Sequence, residues 1–341
     1  MRILACAPGP NFSVQDLHVG YVEALRNAGQ HVIEYPLGSA LTFYDSVLVQ
    51  AGPHEFRKAL TGEQATELAA DRLAGALWKT RPDILIITSG FFIDPTVLDL
   101  ARRDGTRIVL IATEQPYELT RELDLATHCD ITLLTDPINI HLFTQVTNAV
   151  HAPHAYRATI HTPGPGSPEL QCDMAFIATG YDSRIAFLET MDLSTLDIVL
   201  AGNWQRLATD SPLRPYVVGD VDNCLDNVQT VDIYRSMRCG LNIYRKEAEH
   251  PDLTEGWAVG PREVEMAACG AFFLRESRAE GNELFPTLPT FTSPEEASQL
   301  LRYWLSRPAE RADAAAKARE AIQDRTFDAN AAALLRLLEG E

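Results

Sequence analysis

The sequence predicts an α/β protein built from two doubly wound halves that face each other across a cleft. Three observations support this prediction. Short apolar runs alternate with helix-like segments, the same order recurs in both halves, and a Pro- and Gly-rich segment separates them. A chain of 341 residues is also long enough for two domains of ordinary size. Strands that alternate with single helices are typical of Rossmann-like domains with a parallel sheet.

The first half opens with a strand–helix–strand unit. The apolar run 2–7 predicts a strand, the spacing of apolar residues in 18–28 predicts a helix, and His31–Tyr35 predicts the next strand. The pattern continues with helices expected at 62–79 and 94–103, and with strands expected at 83–88, 107–112 and 130–134. These strands are uninterrupted and rich in β-branched residues, as in a parallel sheet that is covered on both faces.

The stretch 162–168 (TPGPGSP) can form neither a helix nor a central strand. We therefore expect an N-terminal domain over 1–162, a linker over 163–170 and a C-terminal domain over 171–341. The last helix of the C-terminal domain could pack back on the N-terminal domain. The elements expected in the second half are strands at 173–178, 197–201, 216–219, 240–244 and 271–274, and helices at 183–191, 228–237, 260–268, 294–305, 308–322 and 327–338.

Composition and charge disfavour several classes of protein. No apolar run approaches the ~20 residues that a membrane helix needs, and the first residues predict a strand rather than a secretion signal, so we expect a cytoplasmic protein. The net charge of −18 repels polyanions, which argues against a protein that coats nucleic acid. The six cysteines include no CxxC pair and are expected to be reduced, buried thiols.

Cofactor and metal motifs are weak or missing. GxGxxG and the P-loop pattern are both absent, which disfavours a nicotinamide enzyme and a P-loop NTPase. Asp220 and Asp222 fit a three-residue metal pattern that is frequent by chance, and His151 and His154 lack partners at spacings typical of zinc. We therefore expect neither a metal site nor a resident cofactor.

The segment 240–285 and the helices that follow it carry the most information. The sequence PREVEMAACGAFFL, then NELF, then FTSPEEASQLLRYWLSRPAERADAAAKAREAI resembles the C-terminal half of GT-B glycosyltransferases. It is most similar to the CgeB-like (spore-maturation) branch, which is related to glycosyltransferase family 4. The branch shows Arg-x-x-Glu-x-x-x-Cys-Gly and then Glu-Leu-Phe. The residues that match in this order are Arg262, Glu265, Cys269, Gly270, Glu283, Leu284 and Phe285.

The resemblance implies transfer of a sugar from a nucleoside-diphosphate sugar, with a UDP-sugar favoured, to an acceptor hydroxyl. It also implies retention of configuration without a metal. A GT-B shell that binds a glycan or nucleotide without turnover, and a two-domain sugar-nucleotide epimerase, stay open as alternatives. The acceptor could be a glycan, a protein, a small molecule or a modified base. A hydroxymethylated base in DNA is disfavoured by the net charge.

The start of the helix at 260–268 suits a diphosphate. Gly260 and Pro261 open the helix, and its free N–H groups can bind an anion. Arg262 in the first turn opposes the helix dipole, which makes sense if an anion shares the site. The resemblance assigns the ribose hydroxyls to Glu265, and it leaves Glu255 or Glu263 open as a second glutamate. The predicted donor-binding residues are Arg184, Asn203, Trp204 (which could stack on the base), Asn242, Arg245, Gly260, Arg262 and Glu265, with Lys246 as a weaker candidate.

The N-terminal half is expected to bind the acceptor. The loop 9–16 follows the first strand and matches the flexible acceptor loop of the family. The predicted catalytic residues are Glu114, at the end of the strand 107–112, His18, at the start of the first helix, and Asp94, at another strand end. If the reaction retains configuration, the leaving phosphate can deprotonate the acceptor. If it inverts, Glu114 or His18 must serve as the base.

Overall fold

The structure is a computed structural model that describes residues 1–9, 14–222 and 224–340. The chain divides into a first unit, Met1–Ala152 with Ala331–Glu341, and a second unit, Pro153–Asn330. Each unit has its own parallel sheet and its own hydrophobic core. No helix in the described part of the chain is long and apolar enough to cross a membrane.

The first unit is built around a six-stranded parallel sheet. The strands of the first unit, including two that lie outside this sheet, are β1 Arg2–Cys6, β2 His31–Tyr35, β3 Leu48–Gly52, β4 Glu55–Lys58, β5 Ile84–Thr88, β6 Arg107–Ala112, β7 Ile131–Leu134 and β8 Asn148–His151. Its helices are α1 Gln15–Asn27, α2 Leu37–Asp45, α3 Gly62–Thr80, α4 Pro95–Arg103, α5 Leu119–Ala126 and α6 Ile140–Phe143. The strand order is β2-β1-β5-β6-β7-β8, and β3 and β4 form a separate antiparallel hairpin. The chain order therefore reverses between β1 and β5.

Side chains within the first unit fix these elements locally. All five residues of β5 are buried, because helices cover both faces of a doubly wound sheet. The helix α3 starts with a capping box in which the Thr61 hydroxyl and the Gln64 side chain each bond to the other residue's backbone N–H. Near the end of the chain, Leu338 O accepts a hydrogen bond from Arg107 Nη1 at 2.7 Å.

The second unit has a five-stranded parallel sheet. Its strands are β9 Cys172–Ile177, β10 Ile198–Ala201, β11 Met237–Asn242, β12 Phe273–Glu276 and β13 Thr290–Phe291. Its helices are α7 Asp182–Thr190, α8 Asn227–Ser236, α9 Pro261–Ala268, α10 Ala279–Leu284, α11 Pro294–Leu305, α12 Pro308–Ala321 and the start of α13 Phe327–Glu339. The strand order is β10-β9-β11-β12-β13, so the reversal lies between β9 and β11.

The predicted α/β class with two Rossmann-like, doubly wound domains is confirmed, and most predicted elements lie within a few residues of the observed ones. The strand expected at 216–219 is wrong. A 3₁₀ turn occupies Arg214–Tyr216, and Val217 makes only an isolated bridge to Leu200. The sequence patterns also missed α2 and the hairpin of β3 and β4.

The Pro/Gly-rich segment lies within the second unit, where it packs on α8. Arg235 Nε donates to Thr162 O at 2.7 Å, and the Ser167 N–H donates to Ser236 Oγ at 2.8 Å. A Cβ at Gly166 would lie 2.6 Å from Arg235 O, so the close approach to the helix needs glycine. The division between the units lies earlier, after Ala152.

Candidate functional site

The N-terminus of α9 is anchored where the strand order of the second sheet reverses. In parallel α/β sheets, ligands bind at the carboxyl ends of the strands at such a switch point. Arg262 Nε donates to the carbonyl of Ile177, the last residue of β9, and Nη1 donates to Asn242 Oδ1 at 2.6 Å. Asn242 is the last residue of β11 and is almost fully buried. Arg262 therefore joins both strands that flank the switch point.

Two more arginines lie at these strand ends. Arg184, which is 8% exposed, donates from Nε to Ile243 O at 2.9 Å and from Nη1 to Thr179 O at 3.1 Å. Arg245 Nη1 donates to the Tyr181 hydroxyl at 3.0 Å.

Shared aromatic neighbours show how closely these cations gather. The guanidinium carbons of Arg184 and Arg262 lie 5.8 and 5.3 Å from the centroid of the Phe176 ring. Those of Arg184 and Arg245 lie 5.2 and 5.4 Å from the Tyr181 ring. Like charges repel most strongly where water is excluded. A bound anion would relieve this repulsion, so the cluster favours a negatively charged ligand.

Glu263 has a structural task in α9. It is fully buried, and its Oε2 accepts the N–H of Gly260, the N-cap residue, at 2.7 Å and the hydroxyl of Tyr244. Burial raises the pKa of Glu263. This corrects the interpretation of Glu263 as a second donor-site glutamate, because its carboxylate caps the helix inside the protein. Glu255, the other candidate, is exposed and lies 3.5 Å from Lys246 in a surface ion pair.

Glu265 is partly exposed and lies about one turn after Arg262 on α9. Its Oε1 accepts from Asn227 Nδ2 at 3.3 Å, and its Oε2 accepts from the Tyr234 hydroxyl at 3.1 Å. The guanidinium of Arg262 bonds to the strand ends instead. The two side chains therefore do not form the simple surface ion pair that their spacing would allow.

Trp204 is corrected from a base-stacking residue to a core residue. It is fully buried and packs edge-on against Phe176, with 6.1 Å between the ring centroids. A Cβ at Gly180 would lie 2.5 Å from its ring, so the backbone covers it closely. Trp204 therefore presents no open face to a nucleobase. Asn203 shapes a turn, since its Oδ1 accepts the Gln205 N–H at 3.2 Å.

The pair of aspartates in the three-residue metal pattern also belongs to a turn. Asp220 Oδ1 accepts the Asp222 N–H at 3.0 Å. This hydrogen bond explains why an aspartate stands at the first position of the turn, and the explanation does not require a metal ion.

His18 is enclosed within the first unit. It is 1% exposed, its Nδ1 lies 3.2 Å from Thr88 Oγ1, and its Nε2 lies 3.7 Å from a Glu34 carboxylate oxygen. Burial lowers the pKa of His18 to about 4, so the imidazole is neutral near pH 7. A base must reach the proton that it removes. His18 is thus enclosed beside Thr88, the last residue of β5, and its role as catalytic base stays a prediction.

Asp94 is a capping residue in the structure, and its catalytic role stays a prediction. It is exposed at the N-cap of α4, and its Oδ1 accepts both the N–H and the hydroxyl of Thr96 at 2.8 Å. A hydrogen-bonded N-cap aspartate stabilises a helix by about 1 kcal/mol, which explains its presence without catalysis.

Glu122 was missed by the sequence analysis, and it holds the turn that carries Glu114. Its Oε1 accepts the N–H groups of Thr113 and Glu114 at 2.7 and 2.9 Å, and its Oε2 accepts from Gln115 Nε2 at 2.8 Å. Burial raises the pKa of Glu122 to about 7. It lies on α5, a helix that was itself not predicted. The catalytic role of Glu114 stays a prediction.

The first unit also has a cavity of about 600 Å³ beside the end of β1. Gly9, Gln15, Ser39 and Thr42 are among its lining residues. Residues 10–13 of the predicted acceptor loop 9–16 lie outside the described residues. Nearby elements α2, β3 and β4 expose the large apolar side chains of Phe43, Leu48, Val49 and Phe56. No pattern in the sequence marks this apolar surface.

Residues 184–336 match the model of a family described as Glycosyl transferase-like. No curated protein sequence matches the chain. Among solved structures, sucrose-phosphate synthase from Thermosynechococcus elongatus is 14% identical with a TM-score of 0.65, and the match covers 100% of this chain and 98% of that one. The E. coli trehalose-6-phosphate structure with bound UDP-2-fluoro glucose is 11% identical with a TM-score of 0.65 and 99% coverage of both chains.

An α-glucosyltransferase bound to UDP and a 13-mer DNA with an HMU base is 10% identical, with a TM-score of 0.63 and 100% coverage of both chains. Each of these matches extends over nearly the whole length of this chain and of the matched structure. The fold of this chain is GT-B. The GT-B architecture places the arginine cluster and α9 in the C-terminal Rossmann-like domain, and the family match supports a glycosyl transfer function.

Proposed function

We propose that this GT-B protein transfers a sugar from a nucleoside-diphosphate sugar to an acceptor hydroxyl. The observation that carries the proposal is the meeting of Arg184, Arg245 and Arg262 with the N-terminus of α9 at the switch point of the second sheet. Positive charge is concentrated there although the whole chain carries −18. A diphosphate is the part of a sugar nucleotide that such a site would bind.

In this proposal the donor lies across the ends of β9 and β11. The diphosphate meets the first turn of α9 and the arginines, and the ribose hydroxyls meet Glu265. Asn242 fits this arrangement, because its buried Nδ2 has no hydrogen-bond partner in the described structure and can donate to a ligand oxygen. The resemblance to the CgeB-like branch and to family 4, together with solved GT-B neighbours that bind UDP or a UDP-sugar, favours UDP.

Catalysis then rests on stabilising the leaving group. The bond between the sugar C1 and the diphosphate oxygen breaks, and negative charge grows on the diphosphate next to the arginines. The acceptor oxygen forms the new bond to C1 on the same face, and its proton passes to the leaving phosphate. This retaining, metal-independent reaction needs no strong protein base, which agrees with the enclosure of His18 and the capping role of Asp94.

The acceptor is proposed to bind in the first unit, at the cavity beside Gly9. None of the lining residues is charged, and the polar side chains among them, Gln15, Ser39, Thr42 and Ser46, suit a glycan or another hydroxyl-rich small molecule. The exposed apolar side chains nearby add a reason to test an acceptor with an alkyl tail. A hydroxymethylated base in DNA is included among the acceptors to be tested, because a solved structure of the same fold holds a DNA with an HMU base. The net charge of −18 opposes the binding of DNA.

The proposal is tested by incubating the protein with UDP-, GDP- and dTDP-sugars and a panel of these acceptors, and by measuring diphosphate release and product mass. Acceptor-dependent release is expected, and it should drop at least tenfold in Arg262→Met. Arg302→Met is the matched control. Arg302 lies on α11 and forms an exposed ion pair with Asp192. Nucleotide binding without release would indicate an inactive shell, and a rearranged sugar without acceptor would indicate an epimerase. Either result would reject the transferase.

A further inference from the structure

The carboxylate of Glu265 is held by two side chains of one helix. Asn227, the first residue of α8, donates from Nδ2 to Oε1 at 3.3 Å, and Tyr234 donates from its hydroxyl to Oε2 at 3.1 Å. The two donors are seven residues apart, which is about two helical turns, so they project from the same face of α8. Each carboxylate oxygen therefore receives one hydrogen bond from the same neighbouring helix.

Both donors are themselves fixed in orientation. Because an ionised carboxylate only accepts hydrogen bonds, Asn227 turns its Nδ2 towards Glu265, and its Oδ1 lies 2.8 Å from the Thr230 hydroxyl, which donates to it. Tyr234 is fully buried, and burial raises the pKa of its hydroxyl, so the phenol stays protonated. Both oxygens of the Glu265 carboxylate are thus held by donors that are themselves anchored within α8.

A third polar group next to Glu265 has an unused donor. His161 Nδ1 accepts the Arg157 N–H at 3.1 Å, so in the neutral ring the proton sits on Nε2. His161 is 1% exposed, and its Nε2 has no hydrogen-bond partner in the described structure. A ring nitrogen of His161 lies within 4.8 Å of a Glu265 carboxylate oxygen. A buried donor without a partner is costly, which points to a ligand oxygen at this place.

The remaining acceptor capacity of Glu265 matches a pair of hydroxyls. An ionised carboxylate has about four lone-pair positions, two on each oxygen. Asn227 uses one position on Oε1 and Tyr234 uses one on Oε2, so each oxygen keeps one for a ligand. Two vicinal hydroxyls can occupy both at once, whereas a single hydroxyl leaves one oxygen of a charged group incompletely solvated.

We propose that Tyr234 and Asn227 are positioning residues that fix the Glu265 carboxylate for both hydroxyls of a ribose, and so make the site prefer ribonucleotides over 2′-deoxyribonucleotides. This inference rests on the proposed function, because it concerns the same donor site. Losing one hydrogen bond to a charged group lowers affinity about tenfold to hundredfold. The wild-type protein should therefore bind UDP more tightly than 2′-deoxy-UDP by a factor in that range.

The test is calorimetric titration of the full-length protein with UDP, 2′-deoxy-UDP, GDP and 2′-deoxy-GDP. Tyr234→Phe keeps the buried ring but lets the carboxylate rotate, and it should reduce the ribose preference at least threefold. Asn227→Ala, at a partly exposed position, should act in the same direction. Tyr303→Phe is the matched control, because the Tyr303 ring lies exposed on α11. In this variant the ratio of the affinities for UDP and 2′-deoxy-UDP should stay at the wild-type value.

The ratio of the two affinities separates positioning from general support of the fold. Weaker binding of both nucleotides by equal factors would show a packing role only and would overturn the inference. So would a wild-type protein that binds UDP and 2′-deoxy-UDP equally well. If Tyr234→Phe does not fold, Asn227→Ala decides by the same ratio. No binding of either ribonucleotide by the wild-type protein would instead reject the proposed function itself.

Discussion

Two buried groups in the first unit predict opposite effects of pH on stability. Burial lowers the pKa of His18 from 6.5 to about 4, so the unfolded chain binds the extra proton between these values and stability rises with pH. Burial raises the pKa of Glu122 from 4.5 to about 7. Here the folded chain binds the extra proton, and stability falls as pH rises through that window.

The magnitudes follow from the two pKa differences. Each group differs by about 2.5 between the folded and unfolded chain, and one pKa unit corresponds to about 1.4 kcal/mol, which gives roughly 3 kcal/mol for each group. Their windows overlap, so the two contributions nearly cancel in the wild-type protein. Replacing one group should expose the contribution of the other.

The assay is urea unfolding, followed by circular dichroism, at pH 4.5, 5.5, 6.5 and 7.5. Relative to wild type, His18→Asn should lose about 2–3 kcal/mol of unfolding free energy as pH rises across this range. Glu122→Gln should gain about as much across the same range. Glu295→Gln, at an exposed position in the first turn of α11, is the control. Variant curves that run parallel to the wild-type curve would refute the assignment of these buried pKa values.

Four further predictions concern two glycines, the core and the donor site. Gly202→Ala should lower the free energy of unfolding by about 2 kcal/mol, because Gly202 has φ +105° and a Cβ there would lie 2.5 Å from Ala178 O. Gly75→Ala in α3, where a Cβ meets nothing within 4 Å, should raise it by about 0.5–1 kcal/mol, and paired thermal melts check both. Trp204→Phe should lower the free energy of unfolding, measured in urea, by about 1–3 kcal/mol, because the ring is fully buried. It should change the affinities for UDP and GDP by equal factors. A changed ratio of these affinities would show that the Trp204 ring stacks on the base. UDP should raise the melting temperature of the wild type and of Arg302→Met but not of Arg262→Met, and an undiminished rise in Arg262→Met would exclude that side chain from the site.

The parallel sheets could be predicted because their strands are buried on both faces. Runs such as ILIIT in β5 and RIVLIA in β6 have no polar interruption to confuse with a helical period. The hairpin of β3 and β4 escaped prediction because it lies outside both parallel sheets and exposes Leu48, Val49 and Phe56, so no clear alternation marks it. Its pairing depends on contacts between strands rather than on a local pattern.

The donor site was predictable only in part. Arg262 and Asn242 were named because they follow a motif and a strand end, and the structure brings them into contact. Trp204 was misjudged because a position after a strand does not reveal whether the ring turns inward.

Partners that are distant in the sequence carry no local signal. Tyr234 and Asn227 on α8 meet Glu265 more than thirty residues later in the chain. Glu122 in α5 looks like an ordinary helical glutamate until the turn after β6 folds onto it. These contacts depend on how helices pack against the strand ends, which spacing alone does not specify.

The central claim is that the first turn of α9 binds the diphosphate of a nucleotide whose ribose lies against Glu265. A crystal structure of the protein soaked with UDP tests it most directly. We expect phosphate oxygens within hydrogen-bond distance of Arg262 and of the α9 N-terminus, and both ribose hydroxyls on the Glu265 carboxylate. UDP bound away from α9, or bound there with its ribose turned from Glu265, would contradict the claim.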